Sequence, residues 1–316
     1  MEDGKGPGER THSVSCRGWG AENGEQRTDS GIDYLIIGHV TQDRVDGKLV
    51  LGGTATYAAL TARNLGRRVG VLTSAAFEPG LVDVLYGTQV ARLPAEETTR
   101  FVNTYHGGAR EERIEARAGL LDTEQLLPEW RAAPIVHLAP VAAELEPDLI
   151  EAFPDALLGV TSQGWMRAWD ESGLIRAVPW ARAEAVLTRA DAVIFSEQDV
   201  PDPDLIDRYA RLGRASAALI VTRGERGASV HCGGEWRHFA AFRPRRQVDP
   251  TGAGDVFAAA YFVHLKQTGD PYASADFANC VASFAVEKRH YHGIPSPEQV
   301  AERWRHGKRR KQVGPA

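Results

Sequence analysis

The sequence predicts an α/β fold: a mostly parallel central sheet with helices on both faces, and a small β lid. Three observations support this prediction. Short apolar runs of strand length recur along the chain, helical stretches separate them, and polar alternating segments interrupt the pattern early. Parallel strands that are buried on both faces have continuous apolar runs, and right-handed crossovers through helices connect them.

The predicted strands share a short apolar centre and are 33–37, 69–73, 135–138, 157–160, 192–195 and 218–221. The predicted helices are 54–65, which ends at Gly66, together with 180–188 and 205–212. Regular alternation of strands and helices of this length is typical of one sheet covered on both sides.

Two polar stretches, at about 43–51 and 98–118, break this alternation. In the second stretch, polarity alternates from Phe101 to His106 and the chain turns at Gly107-Gly108, which is the pattern of a β-hairpin. Sheet segments with one solvent-exposed face indicate a lid over the carboxyl edge of the main sheet. Ligands of open α/β folds bind at that edge.

The ends of the chain differ from its centre in composition. Residues 1–30 are rich in Gly, Glu, Ser and Arg, and we expect a disordered tail because they cannot bury enough apolar surface to fold. Residues 31–305 form the predicted catalytic domain. For the basic cluster Lys308–Lys311 within the tail 306–316, a solvated segment is favoured over a polyanion-binding arm.

Composition excludes several classes of protein. The net charge is -5 with no basic stripe, which argues against a nucleic-acid partner, and no apolar run is long enough to span a membrane. The cysteines Cys16, Cys232 and Cys280 are widely spaced, as expected in a reducing compartment. The N-terminal residues lack the apolar segment of a secretory signal, so a cytoplasmic location is expected.

The strongest chemical signal is the segment Val248–Asp255, VDPTGAGD, which opens an apolar helix. Glycines at a helix N-terminus let backbone N–H groups approach an anion closely. A carboxylate at Asp255, in the first helical turn, can take a proton from an attacking hydroxyl while those N–H groups stabilise a phosphoryl group. The alternative, an aspartate that only caps its helix, stays open for such a short motif.

The segment resembles the C-terminal signature of the ribokinase-like (PfkB) carbohydrate kinase family. Residues 51–60, LGGTATYAAL, are similar to the N-terminal glycine-pair signature of that family, and residues 221–228, VTRGERGA, to its nucleotide-adjacent turn. The resemblance covers residues 32–302 in order. It implies a kinase that transfers the γ-phosphoryl group of ATP to a small molecule. No Walker A motif competes with this interpretation.

The resemblance also implies roles for individual residues. Asp255 matches the catalytic base, and Gly252, Ala253 and Gly254 match the anion hole. The implied acceptor-binding residues are Asp43, Gly52, Gly53, Tyr57, Asn103 and Arg167. The implied nucleotide-binding residues are Ser196, Thr222, Gly224, Gly227, Asn279, His292 and Gly293. Asp199 is expected to bind Mg²⁺ through water, and Asp249 and Thr251 match positions that often hold a monovalent cation such as K⁺.

Two departures from the family pattern bear on the substrate. The N-x-x-E motif is replaced by Ser196-Glu197-Gln198-Asp199, and Tyr57 stands where many sugar kinases of the family have Asn. A Gln-and-Arg segment, Gln163–Arg167, is similar to the myo-inositol kinase branch.

We therefore predict an ATP-dependent kinase that acts on a hydroxyl of a sugar, polyol or cyclitol. One alternative is a nucleoside kinase, in which Tyr57 and Phe101 would stack on a base. Another is a catalytically silent regulator that binds a sugar or nucleotide. The sequence leaves both a monomer and a homodimer open.

Overall fold

The computed structural model describes residues 31–45, 47–76, 83–106 and 109–310. The tail predicted to be disordered, 1–30, and the last residues, 311–316, lie outside the described residues. The described strands are β1 (Tyr34–Ile37), β2 (Thr41–Val45), β3 (Lys48–Gly52), β4 (Val69–Ala75), β5 (Gln89–Pro94), β6 (Arg100–His106), β7 (Ala109–Ala116), β8 (Ile135–Leu138), β9 (Leu157–Thr161), β10 (Arg167–Trp169), β11 (Ile175–Ala177), β12 (Ala192–Ser196), β13 (Ala218–Thr222), β14 (Ala228–Cys232) and β15 (Glu235–Phe239). The described α-helices are α1 (Gly53–Asn64), α2 (Ala183–Leu187), α3 (Asp204–Leu212), α4 (Ala253–Thr268), α5 (Pro271–Ala285) and α6 (Pro297–His306).

The central sheet has nine strands in the order β15-β14-β13-β12-β9-β8-β1-β4-β5. The pairings from β13 across to β5 are parallel, and the pairings of β13 with β14 and of β14 with β15 are antiparallel. The predicted mostly parallel sheet is confirmed. Its parallel strands end together at one carboxyl edge, where the loops that carry the polar side chains converge.

Each face of the sheet buries its own apolar core. Along β1, Tyr34 and Ile36 join a cluster with α1, α4 and α5, while Leu35 and Ile37 join the opposite cluster with Trp130 and the helices α2 and α3. Successive side chains of a strand point to opposite faces, so a fully buried strand serves both cores. This arrangement confirms the prediction of helices on both faces.

A second, four-stranded sheet has the order β3-β2-β6-β7 and includes the two polar stretches predicted to form a lid. Strand β3 runs directly into α1 at Gly52 and Gly53. Gly53 has φ +82°, and a Cβ there would lie 2.8 Å from the carbonyl oxygen of His39. Only glycine allows the chain to pass this closely from the lid sheet into the first helix.

The outer strands of the central sheet, β5, β14 and β15, were not predicted from the sequence. Strand β5, QVARLP, is exposed or half-buried and mixes apolar with polar residues, so it lacks the continuous apolar run that marks the buried strands. Strands β14 and β15 form a hairpin through Gly233 and Gly234, both with positive φ. A Gly-Gly pair between two alternating segments is a hairpin signal that could have identified them. In the part of the chain that is described, no helix is sufficiently long and apolar to cross a membrane.

Glu144 braces two loops at the carboxyl edge of the sheet. Its buried carboxylate accepts hydrogen bonds from the backbone N–H groups of His39 (3.0 Å), Val141 (3.0 Å) and Ala142 (2.7 Å). His39 follows β1 and the other two residues follow β8, so one carboxylate joins the loops of two neighbouring strands.

We expect Glu144→Ala to destabilise the protein by about 3 kcal/mol or more, because three buried N–H groups would lose a charged acceptor. The free energy of unfolding, measured by denaturant titration, tests this. Glu146→Ala is the matched control, since its exposed carboxylate lies 3.7 Å from Arg182, and we expect a change within about 0.5 kcal/mol. Equal effects of the two substitutions would contradict the bracing role.

Candidate functional site

A cavity of about 1170 Å³ opens at the carboxyl edge of the central sheet. One part is lined from the lid side and by the start of α1, and includes Asp43, Gly53 and Phe101. Another part is lined by the loops that follow β12 and β13, and the start of α4 also lines the cavity. The cavity is large enough for two small ligands side by side.

The N-terminus of α4 forms one wall of this cavity. Gly252 adopts the left-handed conformation with φ +76° and caps the helix, which begins at Ala253. The first N–H groups of a helix have no intrahelical acceptor. The N–H of Ala253 donates to the carbonyl oxygen of Pro250 at 3.2 Å, whereas the space beside Gly254 is open, with no heavy atom within 4 Å of where a Cβ would stand. Of the predicted anion-hole residues, Gly254 therefore offers the most accessible backbone.

Asp255 lies in the first turn of α4, and its carboxylate accepts a hydrogen bond of 2.7 Å from the hydroxyl of Thr54 at the start of α1. Burial of the carboxylate raises its pKa to about 6; the hydrogen bond from Thr54 and the positive charge of Arg167 oppose the rise, and the charge of Asp199 adds to it. A carboxylate with this pKa can accept a proton near neutral pH.

Asp43 lines the lid side of the cavity and packs against Gly52. A Cβ at Gly52 would lie 2.5 Å from the carboxylate oxygen Oδ2 of Asp43, so the missing side chain makes room for this carboxylate. The hydroxyl of Thr41 donates to Oδ1 of Asp43 at 3.4 Å. The resemblance implies that Gly52 and Gly53 bind the acceptor. Gly53 lines the cavity and also lets the main chain pass close to His39, whereas Gly52 leaves room for Asp43.

Arg167 and Glu112 meet across the cavity wall at 2.9 Å, and their side chains are only 11% and 17% exposed. The guanidinium of Arg167 also lies 5.7 Å from the ring centre of Phe101. Strand β7 brings both Glu111 and Glu112 to the cavity. Asn103 lies opposite Glu112 in the β6–β7 pair but does not line the cavity.

Tyr57 lines the cavity, yet its ring packs against Gly252, where a Cβ would lie 2.2 Å from ring atom Cε1. Its hydroxyl is buried, and no hydrogen-bond partner for it occurs among the described residues. Burial, with the nearby carboxylates of Asp43, Asp255 and Asp249, raises the pKa of Tyr57 well above its ordinary value. The phenol is therefore neutral and lies between the carboxylates of the site.

Asp199 follows β12 and contributes a carboxylate that is held from two sides. Its Oδ2 accepts from the backbone N–H of Ser196 at 2.8 Å, and its Oδ1 accepts from the side-chain amide of Gln163 at 3.1 Å. Ser196, Gln163 and Asp199 all line the cavity. Neighbouring Glu197 pairs with Arg223 at 2.9 Å and with Arg226, so Asp199 is the carboxylate of this turn without an arginine partner among the described residues.

The predicted nucleotide-binding residues separate into two groups. Those that line the cavity are Ser196, Thr222, Gly224, Gly227 and Asn279. His292 and Gly293 do not reach its wall: the turn His290–Gly293 packs behind it, and a Cβ at Gly293 would lie 2.4 Å from the carbonyl oxygen of Ala285. The wall there is formed by α5 and the residue after it, through Ala282, Ser283 and Val286.

Asp249 braces the loop before α4. Its Oδ1 accepts from the N–H of Thr251 at 2.9 Å and its Oδ2 from the N–H of His290 at 3.1 Å. Burial acts to raise its pKa, but these hydrogen bonds and the charge of His290 keep it below the usual value. The described residues contain no group of three or more His, Cys, Asp or Glu that could hold a metal ion. The monovalent cation at Asp249 and Thr251 stays a prediction.

Three cavity residues with clear contacts were missed as site residues: Thr54, Glu112 and Gln163. Thr54 lies inside the quoted glycine-pair segment, and Gln163 inside the Gln-and-Arg segment, so both positions were marked in the sequence. Their partners, Asp255 and Asp199, are 201 and 36 residues away along the chain, and no local pattern identifies such pairs.

Known proteins are similar to this chain in sequence. The profile of the pfkB family carbohydrate kinases matches residues 185–298. A cytidine kinase of Thermococcus kodakarensis is 28% identical over 252 residues, which cover 73% of this chain and 87% of that kinase. A fructokinase of Salmonella thompson is 30% identical over 172 residues, which cover 50% of this chain and 76% of the fructokinase.

A solved structure is similar in fold. It is a pyrophosphate-dependent kinase in the ribokinase family, complexed with a pyrophosphate analogue and myo-inositol. It superposes with a TM-score of 0.71 at 21% identity, and the match covers 85% of this chain and 99% of that one. The predicted ribokinase-like architecture is confirmed by this likeness.

The raised pKa of Asp255 predicts a pH-dependent effect of Asp255→Asn on stability. The pKa rises from 3.8 to about 6 on folding, so the native state binds more protons between these values and this group lowers stability as the pH rises through them. The variant lacks that cost and can still accept the bond from Thr54. We expect it to melt at a higher temperature than the wild type above pH 6 and to lose this advantage below pH 3.8.

Thermal unfolding across this pH range measures the effect. Asp155→Asn, at an exposed position, is the control for removing one carboxylate. A constant difference between Asp255→Asn and the wild type at every pH would show that the carboxylate is not perturbed in the fold.

Proposed function

We propose that this chain, which belongs to the pfkB family of carbohydrate kinases, moves the γ-phosphoryl group of ATP onto a hydroxyl of a sugar, polyol or cyclitol. It is a phosphotransferase with an alcohol acceptor. The observation that carries this proposal is the position of Asp255. It lies at the open N-terminus of α4, on the wall of the cavity, with a pKa near 6 and a hydrogen bond to Thr54.

Asp255 acts as the general base in this proposal. The acceptor hydroxyl lies between Asp255 and the lid-side residue Asp43, and gives its proton to Asp255 as its oxygen attacks the phosphoryl group. Thr54 orients the carboxylate toward the cavity, because its hydroxyl donates to Oδ1. The backbone at Gly252 and Gly254, at the positive end of α4, stabilises the charge on the transferred group.

Arg167 supplies a positive side chain close to Asp255 in the cavity. Its charge acts on Asp255 and its side chain is nearly buried. A partly desolvated guanidinium interacts strongly with phosphoryl oxygens, because little water screens it. Glu112 holds Arg167 in place through their ion pair and so joins lid strand β7 to the cavity.

Asp199 would hold Mg²⁺ through water. Both of its oxygens already accept an N–H group, and Mg²⁺ commonly keeps several water ligands, so the arrangement fits indirect binding. The ion would neutralise charge on the phosphates of the donor. The phosphates would extend along the loop that carries Thr222, Gly224 and Gly227.

The residues on the lid side of the cavity favour an acceptor that is small, neutral and rich in hydroxyl groups. Asp43, Glu112 and Arg167 offer charged partners to several hydroxyls at once. Carboxylates are strong acceptors for hydroxyl groups, and they disfavour an acceptor that already carries a phosphate. A sugar, polyol or cyclitol matches this chemistry.

One observation favours a nucleoside as the second candidate. Phe101, Met166 and Ile175 line the same cavity as apolar residues, and a similar protein that covers 73% of this chain is a cytidine kinase. A base could lie against Phe101. Tyr57, the second ring named for this stacking, packs against Gly252. The silent regulator is not supported, because the relatives are named kinases. Cytoplasmic location and homodimerisation stay predictions.

We expect Asp255→Asn to lower kcat by about 10² or more, since general-base catalysis contributes ~10²–10⁴. Product formation is measured at saturating donor and acceptor, and the variant's far-ultraviolet circular dichroism confirms the fold. Asp155→Asn is expected to keep the wild-type turnover. Turnover of Asp255→Asn within a few-fold of the wild type would remove Asp255 from the role of base.

A panel of acceptors separates the two substrate classes. We expect the largest kcat/KM, measured through ADP release, for a neutral polyol or cyclitol rather than for cytidine, adenosine or inosine. Phe101→Ala provides the internal control. If a nucleoside is the substrate, losing the ring should raise KM for that nucleoside by about tenfold, because base–aromatic stacking contributes ~1–3 kcal/mol. Preference for nucleosides together with this effect would replace the first assignment by the second.

A further inference from the structure

A second cleft of about 560 Å³ lies beside the catalytic cavity and is strongly basic. Four arginines line it: Arg226, Arg243, Arg246 and Arg310. Glu225 is the acidic residue on the same wall. The chain as a whole carries a net charge of -5, so this concentration of guanidinium groups does not follow from its composition.

Two of these arginines keep an uncompensated charge. Arg226 pairs with Glu197, and Arg310 pairs with Glu225. Arg246 donates to the main-chain carbonyl of Glu287 at 2.9 Å, and that carbonyl carries no formal charge. Among the described residues, no carboxylate pairs with the side chains of Arg243 or Arg246. The cleft therefore has an excess of positive charge that an anionic ligand would neutralise.

The C-terminal basic segment completes this cleft. The N–H of Arg310 donates to Ala241 at 2.7 Å, and the N–H of Arg243 donates to Lys308 at 2.8 Å, so the segment lies alongside residues 241–243 like an added strand. The guanidinium of Arg309 lies 4.6 Å from the ring centre of Phe242 and pairs with Asp276. Residues 308–310 are thus held against the domain by backbone hydrogen bonds, while Lys308 and Arg309 stay exposed to solvent.

We propose that this cleft, which adjoins the catalytic cavity, is a binding site for a small polyanion with a chain of phosphoryl groups. Guanidinium groups form paired, charge-assisted hydrogen bonds with phosphate oxygens, and four of them match a ligand with several charges better than a single phosphate. The volume is within the range of sites for small molecules. The site does not depend on the proposed kinase reaction.

The cleft shares part of its wall with the catalytic cavity. The residues common to both are Glu225, Arg226, Pro244, Gln247 and Arg310. A polyanion would compete with Glu225 for Arg310 and with Glu197 for Arg226. Because Glu197 belongs to the same turn as Asp199, a ligand in the cleft is expected to change the affinity of the catalytic cavity for its donor.

Calorimetric titration of the full-length chain tests the site at physiological ionic strength. Inorganic phosphate, tripolyphosphate and a non-hydrolysable ATP analogue are titrated separately. We expect tripolyphosphate to bind at the cleft and inorganic phosphate to bind at least about tenfold more weakly, because it engages fewer guanidinium groups. If the ATP analogue also occupies the cleft, as a second equivalent, the polyphosphate chain of a nucleotide is a source of the ligand; if only tripolyphosphate does, the source is free polyphosphate.

The variant Arg243→Ala/Arg246→Ala removes the two arginines that line only the cleft. We expect it to weaken tripolyphosphate binding by about tenfold or more. Arg208→Ala/Arg211→Ala, on the exposed side of α3, removes the same charge elsewhere and is expected to bind as the wild type does. Binding that is absent in the wild type, or equal in the two double variants, would overturn the proposal. Turnover of the double variant, measured in parallel, keeps this outcome separate from a failure of the kinase assignment.

Discussion

The contact between Tyr57 of α1 and Gly252 at the start of α4 is the constraint on which the site depends. The ring occupies the space that a side chain at Gly252 would need, so the two helix N-termini approach closely. This approach brings the hydroxyl of Thr54 within 2.7 Å of the carboxylate of Asp255. A larger residue at Gly252 would separate the helices and also strain a backbone with φ +76°.

The same contact creates the electrostatic character of the site. The buried phenol of Tyr57 is neutral and lies near the carboxylates of Asp43, Asp249 and Asp255. Burial also removes water from the carboxylate of Asp255, and because water stabilises an ionised carboxylate, its loss raises the pKa of Asp255. The pKa of Asp249 is lowered instead, because two backbone N–H groups donate hydrogen bonds to its carboxylate. Two carboxylates close in sequence therefore have opposite pKa shifts: the pKa of Asp255 is raised and that of Asp249 is lowered.

The lid contributes charge as well as cover. Strand β2 carries Asp43 and strand β7 carries Glu112, and each carboxylate contacts a residue outside its own strand: Gly52 in the first case and Arg167 in the second. Arg167 follows β9 of the central sheet and begins β10. Its ion pair with Glu112 therefore couples the position of the lid to the positive charge beside Asp255. The lid and the carboxyl edge of the sheet are thus linked through one ion pair.

The amino-acid sequence by itself determined the buried strands, the helices on both faces and the helix start at Gly252–Asp255. These features depend on local apolar runs and on glycines whose conformational role is fixed within a few residues. Tertiary structure alone decided the partners of those residues: Thr54 with Asp255, Gln163 with Asp199, Glu112 with Arg167, and the C-terminal segment with residues 241–243. Each pair joins segments far apart along the chain. The polar sequence of strand β7 is typical of a solvent-exposed strand, and only the tertiary structure places its side chains beside the cavity. Local periodicity records which face of an element is apolar, but not what a polar face will meet.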